Sequence, residues 1–247
     1  MLRNITNFFR LIYILWQFIR YDVLYPATWT KGFKFVYFSL KLARYFRNRK
    51  HDSLRWGQRI ALALVRLGPS FIKFGQTLAT RSDLIGDDVA TDLTLLQDRL
   101  DPFSFKESKS IVENETGRPI NELFSSFDEK PAAAASIAQV HYATTMNGED
   151  VAVKILRPQI ENAFASDLSL FKWIAKILEN YISRTKRLRP VKVVQIFKNT
   201  IALEMDMRME AAAAAELAQN FEGDPDFKVP QIFWETTTKR VLTIERL

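Results

Sequence analysis

Apolar positions change their period along the chain. From Ile5 to Ile19 the sequence is almost continuously apolar, interrupted by Arg10 and Gln17. That run is shorter than the roughly 20 residues needed to span a bilayer, and no small-residue cleavage site follows it. Residues 54–65 repeat at a helical spacing. Gly68-Pro69 punctuates the pattern, and Pro69 suits the first turn of a new helix. This helix carries Phe71 to Leu78 and places Lys73 and Gln76, three apart, on one face. Gly75 inside it costs up to about 1 kcal/mol against Ala, which points to a close contact there. Asp101-Pro102 breaks the next helical stretch, Phe105 to Glu115 continues as another helix, and Gly117-Arg118-Pro119 ends it.

Beyond residue 128 the period falls to two. Ile137 to Ala143 alternates as a strand does, Asn147-Gly148 is a hairpin turn, and Val151 to Leu156 reads as a buried strand with one charge, Lys154. Pro158 stops it. Residues 159–182 and 190–220 read as helices, and residues 229–234 and 240–244 as a closing pair of strands joined by Thr236 to Thr238. The predicted fold is α+β, in the order hairpin, strand with lysine, helices, two strands.

Composition adds a polarity along the chain. The net charge of the 247 residues is +7, but the first 60 hold twelve basic residues against two acidic ones, Asp22 and Asp52, while the rest is slightly acidic. The same 60 residues are dense in rings, among them Phe8, Phe9, Tyr13, Trp16, Phe18, Trp29, Phe33, Tyr45 and Phe46. Large rings beside cations suit a helix lying in a headgroup layer. An anionic membrane surface is therefore the favoured partner, ahead of simple packing on the rest of the chain. Nucleic acid ranks below both, because no nucleic-acid motif accompanies the charge. The absence of Cys removes disulfides, thiolate metal sites and thiol catalysis. No two of the eight glycines lie closer than seven residues apart, which excludes both the dinucleotide-binding fingerprint and the Walker A loop.

Four stretches carry candidate chemistry. The first is Val151-Ala152-Val153-Lys154, a strand ending in a lysine. The second is the run Ala132, Ala133, Ala134, Ala135 and Ser136 ahead of the hairpin. The third is Glu204, Asp206 and Glu210, read as three carboxylates on one helix that continues into five alanines. Asp206 and Glu210 lie one turn apart there, and Glu204 points elsewhere. The fourth is Lys73-Phe74-Gly75-Gln76. A Val-Ala-Val-Lys strand after a small-residue hairpin follows the pattern of a protein-kinase small lobe.

Taken together and in this order, the four stretches resemble the UbiB family of atypical kinases, from about residue 60 to the end of the sequence. The resemblance implies a protein-kinase-like small lobe with an N-terminal helical extension. Residues 1–53 would be the basic, aromatic, membrane-associating segment, 54–127 the extension and 128–247 the small lobe. Lys154 would contact the phosphates of ATP or ADP and pair with Glu210. Ala132 to Ser136 would replace the glycine-rich loop. Lys73 and Gln76 would belong to an occluding element whose lysine faces the acidic pair Glu204 and Asp206. The family is associated with ubiquinone biosynthesis, with membrane attachment and with an unorthodox ATPase-type activity, which places the protein on the cytoplasmic face of a bacterial inner membrane or its organellar equivalent.

The sequence departs from the family pattern at its end. Glu245-Arg246-Leu247 would be the hinge, and no catalytic-loop Asp or Asn and no Asp-Phe-Gly follow, so the large lobe is expected to be absent, with no catalytic residue and no metal ligand in this chain. A truncated or split family member is expected, binding nucleotide weakly and needing magnesium only once a separate large-lobe polypeptide is supplied. Other ubiquinone-biosynthesis enzymes are further candidate partners. Two other readings stay open: a non-catalytic membrane module that binds lipid or a polyprenyl precursor or acts as a scaffold, and a basic nucleic-acid-binding protein.

Overall fold

The computed structural model describes residues 2–24, 44–96, 100–181 and 187–247. Trp29, Phe33 and the lysines at 31, 34 and 41 of the basic aromatic segment lie outside the described residues. The chain divides into two compact units, residues 1–97 with 163–190, and residues 98–162 with 191–247. The division differs from the boundaries at 53 and 127 that the resemblance implies, because residues 105–127 pack with the sheet while most of the helix beginning at Ile160 packs with the early helices.

The first unit is helical: α1 (Leu2–Arg20), α2 (Trp56–Leu67), α3 (Pro69–Ala79), α4 (Ser82–Ile85) and α5 (Asp87–Leu93), joined by most of α8 (Ile160–Tyr181). Gly68, at φ +109°, ends α2 and hands the chain to Pro69 at the start of α3. The core gathers Ile14, Ala61, Leu64, Leu67, Phe71 and Leu93 against Leu170 and Phe171 of α8. The Phe71 and Phe171 rings meet edge to face at 5.1 Å. Gly75 does sit at a close contact: a methyl there would run into Leu64 and Leu96. Gln76, three residues on from Lys73, donates to the Leu96 carbonyl at 3.0 Å.

Part of the basic charge of the N-terminal region is satisfied inside this unit: among the described residues Arg10, Arg47, Arg55 and Arg59, four of its twelve basic residues, pair with carboxylates. Arg10 donates to the buried Asp167 at 3.0 Å and to the Leu67 carbonyl at 3.1 Å. Arg59 and Arg47 share the buried Asp22, at 2.8 and 3.5 Å, and Arg55 clamps the buried Asp92. Two of these carboxylates, Asp92 and Asp167, lie outside the first 60 residues, which is why a charge count over a sequence window overstates the free charge. α1 is also not simply amphipathic: Leu11, Ile14 and Phe18 face the core, with polar residues among them. It buries Asn7, Ile14 and Gln17, and it leaves Phe8, Phe9, Ile12, Leu15 and Trp16 exposed. Among the described residues no helix is long and apolar enough to cross a membrane.

The second unit holds α6 (Phe105–Thr116), α7 (Ile120–Leu123), β1 (Phe124–Phe127), β2 (Ala133–Ala134), β3 (Ala138–Thr145), β4 (Asp150–Leu156), α9 (Pro190–Glu204), α10 (Met207–Asn220) and β5 (Val241–Glu245). Together with the helices, the antiparallel sheet, in the order β1-β3-β4-β5 with β2 also on β3, makes the α+β architecture. Ser104 and Glu107 form a capping box at the start of α6, and Gly117, at φ +71°, ends it. Val151, Val153 and Ile155 of β4 pack with Ile111, Val112, Ile120, Leu123 and Val241 in one core.

Three elements differ from the sequence reading. β1 lies inside the stretch read as helical, where Phe124-Ser125-Ser126-Phe127 is short and does not alternate, because an irregularity between Phe124 and Ser126 turns both rings to the core. The closing pair is a single strand, β5, because residues 229–234 make only one bridge, from Ile232 to Ile244. Pro230 has no N–H to give a ladder, and the Thr237 hydroxyl takes the Phe233 carbonyl at 2.8 Å, which curls the chain into a 3-10 turn at Trp234–Thr236. The predicted helix 190–220 is two helices, broken at Met205-Asp206.

Candidate nucleotide site

Strand alternation decides what Lys154 can reach. In β4 the odd positions 151, 153 and 155 enter the core, so Ala152 and Lys154 point to the opposite face. The register sets Lys154 between Val140 of β3 and Leu242 of β5, and Ala152 between Tyr142 and Ile244. On that face Lys154 Nζ donates to both carboxylate oxygens of Glu210, each at 2.8 Å. Glu210 stands in the first turn of α10, where the helix dipole favours an anion. The two side chains keep 29% and 50% of their exposure, so water weakens the pair to about 1 kcal/mol or less. Its effect is positional: it holds an ammonium at the edge of a small apolar patch formed by Val140, Ala152 and Ile244.

The alanine run is not an open loop. Ala133 and Ala134 pair with Val140 and Gln139 of β3. The Ala132 amide donates to the Val140 carbonyl and the Ala135 amide to the Ala138 carbonyl, both at 2.8 Å. Those two donors are therefore already engaged. Ser136 is buried, and among the described residues its hydroxyl has no partner. Arg157, which the sequence reading overlooked, ties the run down. Its Nε donates to the Ala135 carbonyl and its Nη1 to the Asp101 carbonyl, both at 3.0 Å, and burial pushes its pKa down. Its position just after the lysine strand was the available signal.

Behind the sheet lies a buried polar cluster. Gln139 and His141 point into the core, with no exposed surface. Val140 and Tyr142, their apolar neighbours in β3, point to the opposite face. His141 Nδ1 lies 2.8 Å from the Asp128 carbonyl, which can only accept, so Nδ1 carries the proton and Nε2 accepts from the Gln139 amide at 2.8 Å. Gln139 also bonds the amide and carbonyl of Phe103, at 3.0 and 3.3 Å, and the Ser108 hydroxyl at 2.8 Å.

Burial holds the His141 pKa below its ordinary value of 6.5, against the smaller opposing pull of Asp128. Below that pH the unfolded chain binds a proton that the folded chain resists, so stability falls as pH drops through about 6.5. Urea unfolding midpoints should decline steadily between about pH 7.5 and 5.5. Flat midpoints would show that His141 protonates as readily in the folded chain. Asp206, Glu107 and Glu245, all held below the usual carboxylate range by their hydrogen-bond partners, contribute only in a lower window, nearer pH 4.

The carboxylate trio does not share one helix. Glu204 is the last residue of α9, and Asp206 is the N-cap of α10 in extended conformation, accepting from the Arg208 amide at 3.1 Å. Arg208 also grips Asp206 through its guanidinium at 2.9 and 2.7 Å, which lowers the Asp206 pKa. Asp206→Ala should cost about 1 kcal/mol in urea unfolding, while Asp206→Ser, which still caps, should stay near the parent. Equal losses in both variants would assign the effect to charge instead. Lys73 and Gln76 belong to the first unit, and Glu204 and Asp206 to the second; the expected pairing of Lys73 with them is not a feature of either unit by itself. Among the described residues no group of three metal-ligating side chains converges.

Residues 95–247 match the ABC1 atypical kinase-like domain. Over 244 residues, 98% of this chain, the sequence is 44% identical to a protein described as probable protein kinase UbiB of Marinobacter nauticus, of which it covers 44%. A probable protein kinase UbiB of Pseudomonas fluorescens is 44% identical over 199 residues, 81% of this chain and 37% of that protein. The chain thus spans less than half the length of these relatives. Among solved structures, that of Rv3197 from Mycobacterium tuberculosis in complex with erythromycin aligns with a TM-score of 0.51 and 28% identity, over 59% of this chain and 36% of that one.

Proposed function

The chain belongs to the UbiB family of atypical kinase-like proteins, and on that basis we propose that its second unit holds the phosphates of ATP or ADP at Lys154, as part of an ATPase or phosphotransferase serving ubiquinone biosynthesis at a membrane. The observation that supports this most is the bidentate Lys154–Glu210 pair on the open face of β4. The pair fixes the ammonium without burying it, so it stays available to a polyphosphate. A purine would lie on the patch of Val140, Ala152 and Ile244, where Ala152 is the small residue that leaves room. The alanine run would cover the phosphates as a short strand, held by Arg157, rather than wrap them with free amides. Lys73, Gln76, Glu204 and Asp206 keep the occluding role that the family resemblance gives them.

We place the protein at the cytoplasmic face of a membrane, supported by the exposed rings of α1. The nucleotide reading is tested by titrating millimolar ATP, ADP and adenosine into the isotopically labelled chain and following amide shifts. ATP and ADP should move residues 140, 152–154 and 210, and adenosine should move chiefly 140 and 152. Shifts elsewhere, or none, would overturn the assignment.

A further inference from the structure

Arg10, Arg47, Arg55 and Arg59 of the first unit are held by carboxylates. Arg20 and Arg66 are not. They stand in the last turns of α1 and α2, where the helix C-termini favour a cation, and among the described residues no carboxylate pairs with either. Together with Gln17, Tyr21 and Asn48 they line a pocket of about 200 Å³.

The lining is rich in donors. Gln17 is 95% buried, yet among the described residues its amide has no hydrogen-bond partner. The amide is not one of the fully enclosed unpaired groups: it opens on the cavity, so a partner for it has to enter there. Asn48 uses its carbonyl oxygen as acceptor for the Lys50 amide at 3.1 Å, which leaves its NH2 to donate. Two guanidiniums, two amide NH2 groups and a phenol, with no acid among them, fit an oxyanion with several acceptor oxygens.

We propose that this pocket binds the phosphate of an anionic lipid headgroup. The choice of a lipid over a soluble phosphate rests on the membrane association proposed above. It is supported by what adjoins the pocket on α1: Trp16 and Ile12 are exposed, and Trp16 lies against the exposed Phe46 at 6.0 Å. A headgroup held at Arg20 and Arg66 would let these rings enter the acyl boundary. The pocket would thus orient α1 on the membrane rather than merely attract it.

The test is co-sedimentation of the full chain with vesicles of phosphatidylcholine, with and without phosphatidylglycerol, alongside phosphorus NMR of glycerol phosphate. The parent should bind the anionic vesicles. The double variant Arg20→Gln, Arg66→Gln should bind them roughly ten- to thirtyfold more weakly. Gln17→Leu, which changes no charge, should weaken binding severalfold, and all variants should unfold near the parent temperature. Anionic-vesicle binding unchanged in the double variant would overturn the pocket while leaving membrane association standing. An unaffected Gln17→Leu would overturn it in favour of diffuse charge. A parent that ignores vesicles would overturn both the lipid assignment and the membrane reading, and saturable binding of glycerol phosphate in that case would assign the pocket to a soluble phosphate.

Discussion

Lys154→Met should weaken adenine-nucleotide binding by at least about tenfold while changing the free energy of unfolding by less than about 1 kcal/mol. The two expectations come from the same geometry. Lys154 shares its charge with Glu210 at 2.8 Å, but both side chains remain partly in water, so the pair contributes little to folding. A polyphosphate presents more charge than a carboxylate, and Met keeps the length and apolar stem of Lys without the ammonium. Glu210→Gln removes the group that aims the ammonium and leaves the ammonium itself, so its loss of affinity should be smaller. The double variant should then be no weaker than Lys154→Met alone, because Glu210 acts through Lys154. Additive losses would mean that Glu210 touches the nucleotide independently, and parent-like affinity in Lys154→Met would remove the proposed site altogether.

The elements that carry this site were legible where a single local rule decides them. Asn147-Gly148 permits only a tight turn between two alternating runs, and β3 and β4 follow; Gly148 adopts φ +87°. Val151 to Leu156 is β-branched and apolar enough to be a strand in any setting, and its period of two then fixes the face of Lys154. The break at Asp206 was harder to see. Met, Arg, Glu and Ala on either side all favour a helix, and the propensity of that run outweighs one Asp in any windowed reading. The break becomes visible only when Asp206 is taken as a cap for the amide two residues on. This costs the sequence argument its shared face between Asp206 and Glu210, yet it keeps Glu210 in a first helical turn, a better place for a carboxylate.

What stayed hidden depends on partners distant in sequence. Asp167 lies 157 residues from Arg10 and Asp92 lies 37 from Arg55. No window over the first 60 residues shows that those charges are already matched, while among the described residues no carboxylate pairs with Arg20. The direction of α1 was hidden likewise. Asn7 and Gln17 turn inward on the same helix as Ile14, Leu11 and Phe18, so the inward face is a mixed one that periodicity by itself does not single out.

The polar pair on the inward face of β3 leads to the largest expected stability effect. Gln139→Leu places an apolar side chain of similar volume at a site with no exposed surface, and transfer from water alone would predict a gain. The expected result is a loss of about 3 kcal/mol in urea unfolding. Ser108 lies 3.2 Å from His141 and can still donate to Nε2, so the histidine keeps a partner. The amide and carbonyl of Phe103 do not: Gln139 bonds both, and Leu offers them neither an acceptor nor a donor. Each buried backbone group left unpaired costs about 1–3 kcal/mol, which exceeds what one side chain's extra apolar area returns. The loss should also be local. Phe103 directly precedes the Ser104 cap of α6, so its amide, and those of the first turn of α6, should exchange with solvent faster than in the parent, while the amides of β5 keep their protection. A Gln139→Leu chain as stable as the parent would mean that water or a shifted backbone serves Phe103. In that case Gln139 would be a passenger in the core, rather than the link that fastens residues 101–104 to the strand next to Lys154.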